Sequence, residues 1–146
     1  MGQEATARTG AILTGRRGFD LGNRPGAAAR ARAIYDGAWT GPIFVLTHRA
    51  AENVEGATFL SGDIASAIAR ARAAADERDV GIFGADIARR CFNSGLVDEI
   101  IVHLVPVLLG DGVRLFDSHG AAPIELKKIR SDDPGQITDL SYALVR

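Results

Sequence analysis

The stretch VGIFGADIARRCFNSG, residues 80–95, changes its periodicity at a single glycine. Val80 to Phe83 form a short apolar run that suits a strand, whereas Ile87, Cys91 and Phe92 recur at helical spacing over Ala85 to Ser94. Gly95 stands where a left-handed helix C-cap is wanted. A strand that feeds a helix through one residue is the unit from which α/β sheets are built, so this chain is expected to fold as strands with helices on their faces.

The rest of the sequence repeats the theme. Ala11 to Thr14 read as a strand that ends in the basic turn Gly15-Arg16-Arg17-Gly18, and residues 20–29, DLGNRPGAAA, read as an exposed loop. Ala27 to Tyr35 could form a short helix ended by Gly37. Pro42 leads into Ile43 to Leu46, an apolar run suited to a strand buried on both faces, with Thr47, His48 and Arg49 at its C-terminal end. A weaker strand covers Ala57 to Leu60, after which Asp63 caps a helix that buries Ile64, Ala67, Ile68, Ala71 and Ala75. Glu99 to Leu109 give the strongest strand signal, and Pro106 within them implies an edge position or a bulge. Ile124 to Ile129 and Leu140 to Val145 alternate as an antiparallel hairpin across SDDPGQ. With 146 residues and no linker or repeat, one domain spanning 1–146 is expected.

Composition excludes several functions. Seventeen basic against eighteen acidic residues give no electrostatic reason to expect a nucleic-acid or anionic-membrane partner. No apolar run approaches the roughly 20 residues of a membrane span, and MGQEATARTG lacks a signal-peptide core. Cys91 is the sole cysteine, which fits a reducing cytoplasm. His48, His103 and His119 show no metal-ligand spacing, so no metal is expected. His103 shares a strand face with Ile101 and Val105 and reads as a hydrogen-bonded structural residue; Trp39 reads as a core or rim anchor.

Ligands of such sheets bind beyond the C-terminal ends of strands. Three strand ends carry suitable groups: Gly15, Arg16 and Arg17; Thr47, His48 and Arg49; and Gly84, Ala85, Asp86 and Ile87. Free amides at a helix start suit a pyrophosphate, and arginine forks suit phosphate, although Asp86 would repel an anion set against it. The same features also describe an ordinary strand-to-helix turn with solvated surface arginines, because neither GxGxxG nor a P-loop is present.

The run GLVDEIIVHLVPVLLGDGVRLFD, residues 95–117, resembles the dihydrofolate-reductase-like family, in the branch related to the reductase domain of the bifunctional riboflavin-biosynthesis deaminase-reductase. GAILTGRRGFD and PIFVLTHR are similar to earlier segments of that family. The resemblance implies an α/β fold of three α-β-α layers, with a mixed sheet and a C-terminal antiparallel hairpin, and commonly a homodimer. It also implies NADPH as cofactor and a small heterocyclic, pterin- or pyrimidine-like substrate. Gly15, Arg16 and Arg17 would then lie by the cofactor phosphates, Thr47, His48 and Arg49 by the adenosine 2′-phosphate, and Gly84 to Ile87 by the pyrophosphate. Two departures stand out. Phe83 replaces the first of two glycines and is expected to crowd the pyrophosphate, and the chain is expected to start after the family's first strand. No catalytic acid can be nominated; Asp111 reads as a turn former. A non-catalytic dimeric relative that keeps the fold, with or without a nucleotide pocket, is the alternative to a reductase.

Overall fold

In a computed structural model the structure describes residues 2–23, 39–49, 56–117 and 122–145. Helix α1 (Gly2–Arg8) leads into β1 (Thr9–Gly15), α2 (Arg16–Gly22), β2 (Ile43–Leu46) and β3 (Ala57–Leu60). Helix α3 (Ile64–Ala74), β4 (Asp79–Phe83), α4 (Ala85–Asn93), β5 (Glu99–Leu104), β6 (Leu126–Asp132) and β7 (Thr138–Leu144) follow. The expected helix over Ala27 to Tyr35 lies outside the described residues.

The strands form two ladders: a parallel sheet in the order β3-β2-β1-β4 and an antiparallel sheet in the order β5-β7-β6. β1 is central to the parallel sheet because it is apolar on both faces. Ala11 and Leu13 face the core of α3 and α4, while Ile12 is buried just as completely but lies outside that cluster. Thr14 meets α2 on the other side, where Gly18 comes so close that a Cβ there would sit 3.2 Å from Thr14 Oγ1. Helices therefore cover both faces, which is the layered α/β arrangement expected.

Local signals set the helix ends. The Asp63 carboxylate accepts from the Ser66 amide at 2.8 Å and from its hydroxyl at 2.8 Å, and these bonds hold the carboxyl below its usual range. Ile64, Ala67, Ile68 and Ala71 are buried along α3, as their spacing requires, and Ala75 just beyond it is buried too. Gly95 adopts φ +64° after α4, the conformation that glycine reaches without strain. Cys91 is fully buried on α4, and burial pushes its thiol up to about 11, so it is packing and not a nucleophile.

Four expectations change. Arg16 and Arg17 open helix α2 instead of forming a turn, because Gly18 lets the helix pack against Thr14. Residues 20–22 of the expected loop belong to that helix as well. β5 ends at Leu104 and does not run on to Leu109, since its partner β7 begins at Thr138, opposite Leu104. The hairpin is present but longer, Leu126–Asp132 against Thr138–Leu144, with a register shift between Lys128 and Arg130.

Helix α1 meets the antiparallel sheet through charge. One Arg8 guanidinium nitrogen lies 2.7 Å from Asp79 at the start of β4 and 2.9 Å from Glu99 at the start of β5, which ties the two sheets at that end. Ser141 donates its hydroxyl to Glu99, and Arg130 pairs with Glu4. Burial opposes the Glu99 charge, but the Ser141 hydroxyl and the Arg8 guanidinium together hold its carboxyl below the usual range.

Candidate nucleotide site at the strand ends

All four strands of the parallel sheet point the same way, so their C-terminal ends share one edge. Gly15 pairs with Leu46, Leu46 with Leu60, and Thr14 with Phe83. The residues that follow, Arg16, Thr47 and Gly84, thus emerge from adjacent strands about 4.8 Å apart. Strand order adds a second point. From β1 the chain steps outward to β2 and β3, then returns to place β4 on the opposite flank of β1. Between β1 and β4 the winding reverses, and a crevice opens at such a switch point beyond the strand ends.

Gly15 and Gly84 follow from the two strands, β1 and β4, that flank that switch point. Gly84 has φ +92° and ψ 133°, and a Cβ there would meet nothing within 4 Å. The glycine is required by its backbone angles and not by crowding. It caps α4 without a side-chain bond, which leaves the first-turn amides of Ala85, Asp86 and Ile87 without acceptors inside the helix. Ile87 is buried and holds that turn against β1: a Cβ on Gly15 would lie 3.3 Å from Ile87 Cγ1.

The phenyl ring of Phe83 turns toward Gly81 on the same strand. Residues two apart on a strand share a face, and the ring folds back over Gly81, whose absent side chain makes the room; a Cβ there would be 3.1 Å from Phe83 Cε2. Asp86 repels an anion less than its position suggests, since Arg89 holds its carboxylate at 2.6 Å on the helix surface.

The basic residues divide. Arg16 Nε is bound to Asp20 at 2.7 Å, and its guanidinium lies 5.3 Å from the centre of the Phe59 ring, which Phe19 meets edge-on at 5.5 Å. This aromatic support from β3 and α2 escaped the sequence reading; the only hint was one phenylalanine in each element. Arg17 is exposed. Thr47 is buried, donates its amide to the Leu60 carbonyl at 2.9 Å and accepts the Arg49 amide on Oγ1 at 3.1 Å. That turn leaves the His48 and Arg49 side chains exposed.

Other candidates lie elsewhere. His103 Nδ1 is 2.6 Å from Oδ1 of the buried Asp139, the structural pairing expected of it. Trp39 donates its indole N–H to the Thr9 carbonyl at 2.8 Å, a rim anchor. Asp111 accepts the Gly112 amide in an exposed turn. A cavity of about 60 Å³ between α1 and the antiparallel sheet is lined by Arg8, Glu99, Arg130 and Ser141, but it is far too small for a dinucleotide and its charges are already paired. Among the described residues no cluster of three or more His, Cys, Asp or Glu could hold a metal, and no helix is long and apolar enough to cross a membrane.

The sequence model of the RibD C-terminal domain matches residues 2–138. The chain belongs to that family. Solved structures agree on the fold. A protein from Shewanella sp. PV-4, provisionally described as a riboflavin biosynthesis protein, superposes with a TM-score of 0.76 at 21% identity, over 99% of this chain and 78% of its own. RibD from Acinetobacter baumannii gives 0.62 at 18% identity, and a pyrimidine reductase-like protein from Corynebacterium diphtheriae gives 0.61 at 13%. These cover 99% and 98% of this chain; it spans 49% of the Acinetobacter chain and 79% of the Corynebacterium chain. No curated protein sequence matches it.

Proposed function

We propose that this RibD C-terminal domain is a reductase of the riboflavin-pathway type, which uses NADPH to reduce a small heterocyclic substrate of pyrimidine or pterin character. The observation that carries the reading is the reversal of strand order between β1 and β4, where the positive-φ glycine turn at Gly84 and the ends of β1 and β2 share one edge of the parallel sheet. Family membership supports it.

The residues present fit the cofactor. The amides of Ala85 to Ile87 would hold the pyrophosphate, with Gly84 admitting it close to the backbone. Gly15 and the amides of Arg16 and Arg17 would lie by the same phosphates from the β1 side. Thr47 fixes the turn that carries His48 and Arg49, and these would lie by the adenosine 2′-phosphate, a group that a guanidinium can hold with two parallel hydrogen bonds. When bound, NADPH supplies the hydride, and the protein's part is to orient the nicotinamide and exclude water. A cytoplasmic location is part of the same proposal, and the single cysteine, a buried free thiol, supports it.

Calorimetric titration with NADPH and NADH tests this. Arg49→Ala is expected to weaken NADPH binding by about tenfold, the loss of one charge-assisted contact, and to leave NADH unchanged. Wild-type protein that binds neither nucleotide at about millimolar concentration removes the reading. Binding without turnover of any pyrimidine or pterin would select the non-catalytic relative instead.

A further inference from the structure

His103 and Asp139 form a pair with opposite exposures. The Asp139 side chain is 6% exposed and that of His103 52%, and they meet through Nδ1 at 2.6 Å. An ionised carboxylate only accepts, so Nδ1 carries a proton and donates it to Asp139. The bond fixes the ring and leaves Nε2 for a ligand, the relation in which a buried carboxylate orients a histidine that moves protons. Across the ladder, Asp132 stands opposite Asp139 and is bound to Arg130 at 3.4 Å.

The pair lies where the reacting end of a dinucleotide falls. One guanidinium nitrogen of Arg8 touches both Asp79 and Glu99, so β4 and β5 start side by side, and α4 between them is the kind of crossover that joins parallel strands. β5 therefore ends, at His103 and Leu104, on the edge where β4 ends at Phe83. Val80, Ile82 and Ile100 pack against the core of α3 and α4, so Gly81, Phe83, Ile101 and His103 share the opposite face. With the adenosine by β2 and the pyrophosphate between β1 and β4, the nicotinamide extends past β4 toward β5. Other acids near the phosphate turns are engaged: Asp20 by Arg16, Asp86 by Arg89, while the Cys91 thiol is buried.

We propose that His103 is the proton donor of the reduction, with Asp139 as its positioning residue. The proposal rests on the cofactor reading. A hydride from C4 of the dihydronicotinamide forms the new C–H bond at the carbon of a C=N or C=O group, the π pair moves to the heteroatom, and that atom takes the proton of His103 Nε2. NADPH is thereby oxidised to NADP+, the substrate gains two electrons and two hydrogens, and the imidazole regains its proton from water.

Proton NMR of the histidine rings tests the placement without turnover, with His103→Gln identifying the signal. NADPH is expected to shift the His103 signal, whereas adenosine 2′,5′-bisphosphate, which carries only the adenosine end, binds and leaves it in place. A signal that stays put when NADPH binds, or moves equally with the bisphosphate, overturns the proposal and leaves the cofactor reading intact; NADPH that does not bind removes both. With 7,8-dihydropterin and 6-ribosylaminouracil as acceptors, His103→Gln is expected to lower kcat about a hundredfold at unchanged NADPH affinity. Imidazole added to His103→Ala is expected to restore part of the rate, which a purely structural role would not allow. Asp139→Asn is expected to move the proton of the neutral ring from Nδ1 to Nε2, read from imidazole nitrogen shifts, and to lower kcat as well. Variants with wild-type kcat, or a rate that imidazole does not raise, overturn the proposal. A wild-type chain that binds NADPH and reduces neither acceptor overturns it too, in favour of the non-catalytic relative.

Discussion

Replacing Gly84 with alanine separates what the turn does for the fold from what it does for a ligand. Because a Cβ at this position would meet nothing within 4 Å beyond the two adjoining residues, the effect of the substitution on folding is expected to come chiefly from backbone strain. At φ +92° and ψ 133° an L-residue sits in territory open almost only to glycine, which costs about 1–3 kcal/mol. For a chain of this size that lowers the melting temperature by about 5 °C. Gly135, at φ +83° between β6 and β7, provides the comparison, since its turn lies in the other sheet and a Cβ there also meets open space. Gly135→Ala should lower the melting temperature to a similar or smaller extent and leave nucleotide affinity alone. Gly84→Ala should in addition weaken NADPH by about tenfold, because the new methyl stands where the pyrophosphate approaches. Thermal denaturation and calorimetry on the two variants give both numbers. Equal affinities in the two variants would refute the phosphate turn, and an unchanged melting temperature in Gly84→Ala would refute the strain argument.

The ring position of Phe83 predicts that Gly81→Ala, whose Cβ would stand 3.1 Å from Phe83 Cε2 and 3.4 Å from Ile12 Cγ1, costs about 1–2 kcal/mol by overpacking and weakens NADPH by displacing the ring toward Gly84. Denaturant titration and nucleotide binding would show it; a destabilised variant with wild-type affinity would mean that the ring moves elsewhere. The Glu99 carboxyl is held below its usual range, so the unfolded chain takes up this proton first as pH falls; the stabilisation is present above about pH 4.5 and is lost as pH drops through the lower folded value. Arg8→Gln should remove about 1 kcal/mol at neutral pH, a modest figure because the guanidinium is half exposed, and should flatten the acid limb of the stability curve; an acid limb identical to wild type would show that Arg8 contributes nothing to it.

What the sequence revealed and what it concealed follow from the range of the interactions involved. The Asp63 cap, the Gly95 stop and the βα unit around Gly84 were legible because each is decided within one turn of helix or one strand. The basic pair after Gly15 was misread because two flanking glycines look like a turn; in fact Gly18 is what lets α2 lie against Thr14, a contact made across the sheet. The end of β5 was hidden for a similar reason. Residues 105–109 have strand-forming side chains, but a strand exists only as far as its partner, and the reach of β7 is a non-local fact. The candidate site shows the same division. Its residues could be named because strand ends are local, whereas their convergence depends on strand order, which composition and periodicity do not encode. The Phe83 ring falls between these cases. Gly81 and Phe83 share a strand face by their spacing in the sequence, yet only the structure shows that the ring lies over the glycine. If the turn at Gly84 holds the pyrophosphate as proposed, Gly81, three residues before it, matters as well, because it sets where the ring lies.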